Sequence, residues 1–207
     1  MVEGCYADPM PPPPTDRRTK IADTGLALVA REGLRGLTHR AVDAEAGLPA
    51  GTCSNYHRTR DALITALAER LFARLVPDDA EVAAAIDAPP TRELWVRLMV
   101  DLVHRVRAQP ELYIALWELR LEATRRPDIV DPLTSIVRRS FELDVANHER
   151  SGLAGTVREV QLVHLAINGL ILETLTLPNA IGIADDQIDA TIETLVDRII
   201  ATPEPGN

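Results

Sequence analysis

Apolar positions recur at spacings of three and four residues from residue 16 almost to the end of the chain. No clear stretch alternates with the period of two that a strand needs, so the pattern predicts helices only. The first helix covers about Asp16 to Arg31, with Ile21, Thr24, Leu26, Ala27 and Leu28 turned inward and Gly33 and Gly36 ending it. A later helix runs from about Asp61 to Leu75 and connects what precedes it to the rest of the chain. The Pro-flanked stretch from Val76 to Pro90 predicts a loop. Thr91 then caps a helix to about Ala108, and Pro110 opens another to about Arg126. Pro127 breaks that helix, and the next spans about Asp128 to His148. Two more follow, Thr156 to Leu177 and Ala184 to Ala201, divided by Pro178. The penultimate helix is apolar on nearly every side (LVHLAINGLIL), and the last carries Ile188, Ile192, Leu195, Ile199 and Ile200 along one side. Such surfaces must be covered, either inside one subunit or between two.

The segment from Leu37 to Leu63, LTHRAVDAEAGLPAGTCSNYHRTRDAL, breaks this rhythm. Thr38 suits an N-cap, because its hydroxyl can accept a free backbone N–H at a helix start. Gly47 ends that helix, since glycine enters the left-handed region freely. Pro49 suits the first turn of a second helix, where a missing N–H costs nothing. This second helix is about two turns long and presents Thr52, Ser54, Asn55 and Tyr56. Short hydrogen-bonding side chains on a protruding helix are what reading base edges in a major groove requires.

These residues resemble the DNA-binding region of the TetR family of bacterial transcriptional regulators. The resemblance rests on Thr38-His39-Arg40-Ala41-Val42, Ala46-Gly47-Leu48-Pro49 and Gly51-Thr52-Cys53-Ser54-Asn55-Tyr56-His57, with Arg60 and Leu63 following. It includes the preceding helix from about Arg17 to Glu32, and so covers the first quarter to third of the chain. The Pro-rich residues 1–15 predict a disordered tail; the resemblance implies an all-α protein with a three-helix helix-turn-helix unit over 16–60 and a helical ligand-binding and dimerisation body over 61–203. The implied function is a ligand-responsive regulator, usually a repressor, that binds a palindromic double-stranded operator as a homodimer and is released by a small-molecule inducer. The last two helices would pair across a two-fold axis. The implied DNA-binding residues are Thr38, Arg40, Pro49, Thr52, Ser54, Asn55, Tyr56 and Arg60, with Thr38 and Arg60 on the phosphate backbone. Three positions depart from the family pattern. Cys53 stands where Leu is usual, His57 where Phe is usual, and Asp43 where two helices pass closely and a small residue is usual. Ala50, Cys53 and His57 share the inward face of the short helix, which makes its core smaller and more polar.

Composition bounds the alternatives. The chain has 207 residues, 46% hydrophobic and 26% charged, which is ordinary for a soluble globular protein. No apolar run is long enough for a membrane span, and MVEGCYADPMPPPP has neither region of a secretion signal. Two cysteines, Cys5 and Cys53, are too few for a disulfide framework, so a reducing cytoplasm is expected. The net charge of −9 argues against nucleic acid until its distribution is read. Residues 16–60 hold eight bases and five acids, a balance of +3, whereas 61–207 balance at −10. Alone, +3 is as readily chance as function; joined to the motif, it orients a basic end toward phosphates.

A ligand site is expected in the body, among Trp95, Met99, Tyr113, Trp117, Arg120, Gln161, His164 and Asn168. Tyr113, Trp117 and Arg120 share one helical face, and Gln161, His164 and Asn168 form a polar stripe on an apolar helix. Apolar walls with a few aimed polar groups make small-molecule sites, but aromatics at helical spacing equally make ordinary core. Arg120 would call for a largely apolar ligand with an acidic or hydrogen-bond-accepting group, or would reach solvent along its stem. An all-helical enzyme and a protein-interaction module are the alternatives. No His-Glu-x-x-His, phosphate loop, Cys-x-x-Cys or serine elbow is present, and the five histidines lack metal spacing, so neither cofactor nor metal is expected.

Overall fold

The order of helices follows from the caps that local sequence supplies. In the computed structural model, residues 14–77 and 79–200 are described. The tail expected over 1–15 and the end of the chain past Ile200 lie largely outside them. Helix α1 spans Pro14–Gly36, α2 His39–Glu45, α3 Thr52–Tyr56 and α4 Arg60–Leu75. Beyond them come α5 Asp79–Asp87, α6 Arg92–Arg107, α7 Pro110–Ala123, α8 Pro127–Ser151, α9 Val157–Thr176 and α10 Ile188–Ile199. Thr38, Thr59, Thr91 and Thr156 each accept a backbone N–H at the start of α2, α4, α6 and α9. Thr156 and Glu159 complete a reciprocal capping box. No strand occurs among the described residues.

Two sequence expectations change here. The loop expected over Val76–Pro90 holds a helix, α5, because the alanines of DAEVAAAID favour helix more strongly than the flanking prolines oppose it. Helix α1 continues past Arg31 but turns at Gly33, whose φ of 67° and ψ of 177° only glycine adopts without strain. Its buried side is Ile21, Ala22, Gly25, Leu26, Leu28 and Val29, while Ala27 is exposed.

One continuous apolar cluster runs from α1 to α10. Each fully buried leucine, such as Leu63, Leu67, Leu71, Leu112 and Leu119, contributes about 1.5–3 kcal/mol of burial. Helix α1 lies against α4 and α7. At Gly25 it approaches α4 so closely that a Cβ would sit 2.8 Å from a methyl of Leu67. Arg70 and Arg74 of α4 both reach Asp23 of α1, at 2.8 and 3.4 Å, and Arg74 also donates to Gln109 just before α7. Arg126 ties Asp61, at the start of α4, to the start of α8 at 2.6 Å. It anchors the two helices to each other.

The last helices divide the two covering options. Ile188, Ile192, Val196 and Ile200 are buried inside the subunit, where α10 packs on α6 and α9, and Arg92 clasps Asp197 and Glu193. On α9, Val163, Ile167, Leu170 and Ile171 are buried, but Leu162 (38% exposed) and Leu165 (64%) are not. Gly169, exposed and with no other atom near its Cβ position, continues that stripe. No helix of the described residues is long and apolar enough to cross a membrane.

Candidate functional site

The turn between α2 and α3 is held by a buried carboxylate. Asp43, 4% exposed, accepts the Gly51 N–H at 2.8 Å on one oxygen and the Cys53 N–H at 2.7 Å on the other. Both amides belong to the start of α3, where helix geometry leaves N–H groups without partners and favours negative charge. Asp43 is thus the remote cap of this short helix, and its departure from a small residue has a structural reason. Gly51 enters α3 at φ 88°, a conformation that disfavours any side chain. Cys53 is fully buried, and burial, reinforced by Asp43, pushes its thiol up to about 11. His57 is half-buried. Burial first, then Arg18 and His39, hold it below the ordinary histidine value, so it packs as a neutral ring. Ala50, expected inward with these two, is exposed.

The eight expected DNA-binding residues separate by environment. Thr38, Arg40, Pro49 and Asn55 are exposed. Thr38 already accepts the Ala41 N–H at 3.0 Å and keeps its hydroxyl proton free to donate. Ser54 is partly exposed and donates to the Gly51 carbonyl at 2.9 Å. Tyr56 is half-buried under the Arg18 guanidinium, 5.6 Å from its ring centre. The other two turn inward. Thr52 is buried and gives its hydroxyl proton to the Pro49 carbonyl at 2.6 Å, so it stabilises the turn rather than facing outward. Arg60 donates to the Leu34 carbonyl and is partly buried, pinning the end of α1 to α4. Arg58, not among the eight, is exposed in the turn after α3. Its basic character and adjacency to Arg60 were the only signal for it.

The second candidate is a cavity of about 490 Å³ in the body. That volume suits a drug-sized ligand. Trp95, Met99, Tyr113, Arg120, His164 and Asn168 line it, as expected. Trp117 and Gln161 do not. Trp117 is half-buried with Arg120 stacked 5.1 Å over its ring, and Gln161 borders a neighbouring open groove. Trp95 donates its indole N–H to the Ala154 carbonyl at 2.7 Å and lies against His148, ring centres 5.1 Å apart. Asn168 is turned back on its own helix, donating to the His164 carbonyl at 2.8 Å. His164 meets Phe141 edge-on, and burial followed by the charge of Arg120 holds its pKa down. Tyr113 is buried, which pushes its hydroxyl up to about 12. Phe141, Asp144 and His148 of α8, and Val82 and Ile86 of α5, complete walls that sequence reasoning missed. The α8 set was present as an i, i+3, i+7 register, with Asp144 as its polar member. Among the described residues no group of three or more His, Cys, Asp or Glu could hold a metal ion.

A model of the tetracyclin repressor-like C-terminal domain family matches residues 90–202, more than half the chain. The fold is similar to that of the multidrug binding protein EbrR, solved with imidazole: 25% identity over 96% of this chain and 99% of EbrR, TM-score 0.67. It is also similar to a TetR-family member from Streptomyces coelicolor A3, at 23% identity over 90% and 99% of the two chains, TM-score 0.68. A TetR-family transcriptional regulator from a Rhodococcus species shares the fold at 18% identity over 90% and 100%, TM-score 0.71. No curated protein matches the sequence.

Proposed function

The chain belongs to the TetR family of transcriptional regulators, and from that premise we propose that it is a repressor that binds palindromic duplex DNA as a homodimer and is released by a small molecule. The observation that carries this is the pairing of a carboxylate-braced α3, with Asn55 exposed on it, and a largely apolar cavity in the body of the same chain. In this reading residues 16–60 form the DNA-binding unit and 61–203 the body. Asn55 reads a base edge, Arg40 and Arg58 meet phosphates, and Thr38 and Pro49 border the backbone. Ser54 and Tyr56 flank Asn55 at the groove. Thr52 and Arg60 support this surface from within.

The dimer forms on the exposed stripe of α9, Leu162, Leu165 and Gly169, with the outer side of α10 beside it. Small and apolar residues there allow two copies to approach closely, and two-fold symmetry sets two α3 helices on successive grooves of one face. Ligand in the cavity acts through α7, whose Tyr113 and Leu116 line it while the same helix packs on α1. The α4 lever carries the change by its contacts with Asp23. Ligand shifts DNA affinity only by its differential affinity for the two head spacings. EbrR, a multidrug binding protein, supports a body of this fold holding small molecules. An enzymatic role has no support in the site: among the described residues that line the cavity no serine hydroxyl is hydrogen-bonded to a side-chain base, and Ser151 donates to the His148 carbonyl. The DNA partner makes the cytoplasm the site of action.

The test is selection of bound duplexes from a random pool, followed by titration of the enriched sequence with wild type and Asn55→Ala. We expect an inverted repeat. Asn55→Ala should lose roughly 1–3 kcal/mol on the repeat and little on random duplex. A pool that yields no enriched sequence refutes the proposal.

A further inference from the structure

The ligand class can be taken further on the basis of this ligand-responsive function. Helix α8 turns one face into the cavity, with Val137, Phe141, Asp144 and His148 following at four-, three- and four-residue spacing. Asp144 is the charged member of that face. Asp144 is exposed and also lines the cavity, beside Phe141 and His148 of its own helix. No hydrogen bond or ion pair joins its carboxylate to any described residue.

Two of the cations nearby are engaged elsewhere. Arg105 pairs with Glu81 at 3.1 Å, and Arg120 lies over the Trp117 ring with its head exposed. Arg97 of α6 lines the cavity too, but it is exposed and shares its helix with Asp101, another acid of the lining. Burial alone, with no cation to offset it, pushes Asp144 up to about 6, so near neutrality it is mostly ionised without a countercharge. A carboxylate that lines an apolar cavity without a partner gains from a positive charge bound in that cavity, which is how an opposite charge nearby favours the ionised form. The walls facing it favour the same sign. Trp95 has given its N–H to a backbone carbonyl and offers its ring, and Tyr113 offers another. Aromatic faces attract cations, most strongly where water is excluded.

We infer that the cavity takes an organic cation, its charged centre against Asp144 and its apolar body against Trp95, Tyr113 and Phe141. This replaces the acidic ligand that Arg120 suggested. An anion there would bring like charge toward Asp144, while Arg120 is already satisfied by solvent and by Trp117.

The experiment titrates three fluorescent probes of similar size into the full chain without DNA: berberine (cation), N-phenylnaphthylamine (neutral) and anilinonaphthalene sulfonate (anion). Wild type, Asp144→Asn and Asp144→Glu are compared, with folding checked by thermal melting. Asp144→Asn is isosteric and removes an unpaired charge, so its melting temperature should not fall. Berberine should bind Asp144→Asn about tenfold more weakly than wild type, equivalent to about 1.4 kcal/mol. Asp144→Glu should retain most of the affinity, and the neutral probe should not discriminate. Equal berberine affinity in wild type and Asp144→Asn overturns the inference. So does a wild-type preference for the sulfonate that Arg120→Ala abolishes. Binding of the selected duplex is measured on the same dye-free samples. A protein that holds its inverted repeat but ignores Asp144→Asn fails the cation inference alone, whereas one that holds no duplex fails the regulator proposal.

Discussion

Replacing Asp43 by Ala should remove the support of α3 while leaving the protein folded. The carboxylate accepts two N–H groups, Gly51 at 2.8 Å and Cys53 at 2.7 Å. Gly51 is exposed, so water can replace the carboxylate there at little cost. Cys53 is fully buried, and water cannot reach its N–H without opening the packing. A buried donor left unpaired costs about 1–3 kcal/mol, and bonds to a charged acceptor lie toward the upper part of that range. The loss expected for Asp43→Ala is therefore about 2–4 kcal/mol. Asp43→Asn retains one accepting oxygen and turns an NH₂ toward the other donor, so about half that loss is expected. Against a typical total of about 5–15 kcal/mol, both variants remain folded. Urea unfolding by circular dichroism measures the stability. Titration of the selected duplex and of random duplex measures the surface. Specific affinity should fall much more than random affinity, because exposed arginines still meet phosphate after α3 loses its orientation. An Asp43→Ala protein with wild-type unfolding midpoint, or with equal loss on both duplexes, would refute the bracing role.

Leu165→Glu should turn the dimer into a monomer, because it sets a charge on the most exposed apolar position of α9; light scattering at micromolar concentration reads the result, and an unchanged dimer mass would remove α9 from the interface. Berberine affinity should weaken as pH falls from 8 to 5, since Asp144, pushed up to about 6, takes up a proton over that span. Tyr113 titrates far above that span, while Glu81, Asp101, His148 and His164 also line the cavity. The Asp144→Asn protein therefore supplies the comparison, and a pH dependence that survives in it would belong to another group of the lining. Without ligand, the same carboxylate has a folded pKa above its unfolded value. Its unfavourable contribution to stability therefore appears as pH rises through about 4–6, and Asp144→Asn should flatten that part of the stability profile.

The helices around the turn were legible because their signals are local. Thr38 and Gly47 each fix a boundary by their own chemistry, and both do so in the structure; Pro49, expected in the first turn of the second helix, lies ahead of it, because α3 starts at Thr52 with Gly51 as its N-cap. Where local signals conflict, the sequence misleads: prolines around α5 suggested a loop, and an alanine-rich core made a helix. Side-chain roles were less visible. Thr52 and Arg60 have the composition of DNA contacts, but carbonyls at Pro49 and Leu34 engage them. Asp43 stood out only as a misfit, because its partners lie eight and ten residues on and meet it only once the turn is made. Nothing local sets Asp144 apart from Glu142 or Glu149 of the same helix. Whether its face meets water or a cavity depends on α6, α7 and α9 together, which no periodicity within α8 encodes.

The bracing of α3 by Asp43, the Pro49 carbonyl and buried Cys53 involves none of the side chains at Ala50, Asn55 and Arg58. Scaffold and text are therefore separable. Outward positions can be rewritten without disturbing the hydrogen bonds that hold the helix in place, so a gene duplicate could acquire a new target by a few surface substitutions while inheriting its stability whole. The same separation makes the short helix a transplantable cassette: a library varied at 50, 55 and 58 would sample new DNA sequences among chains that nearly all fold.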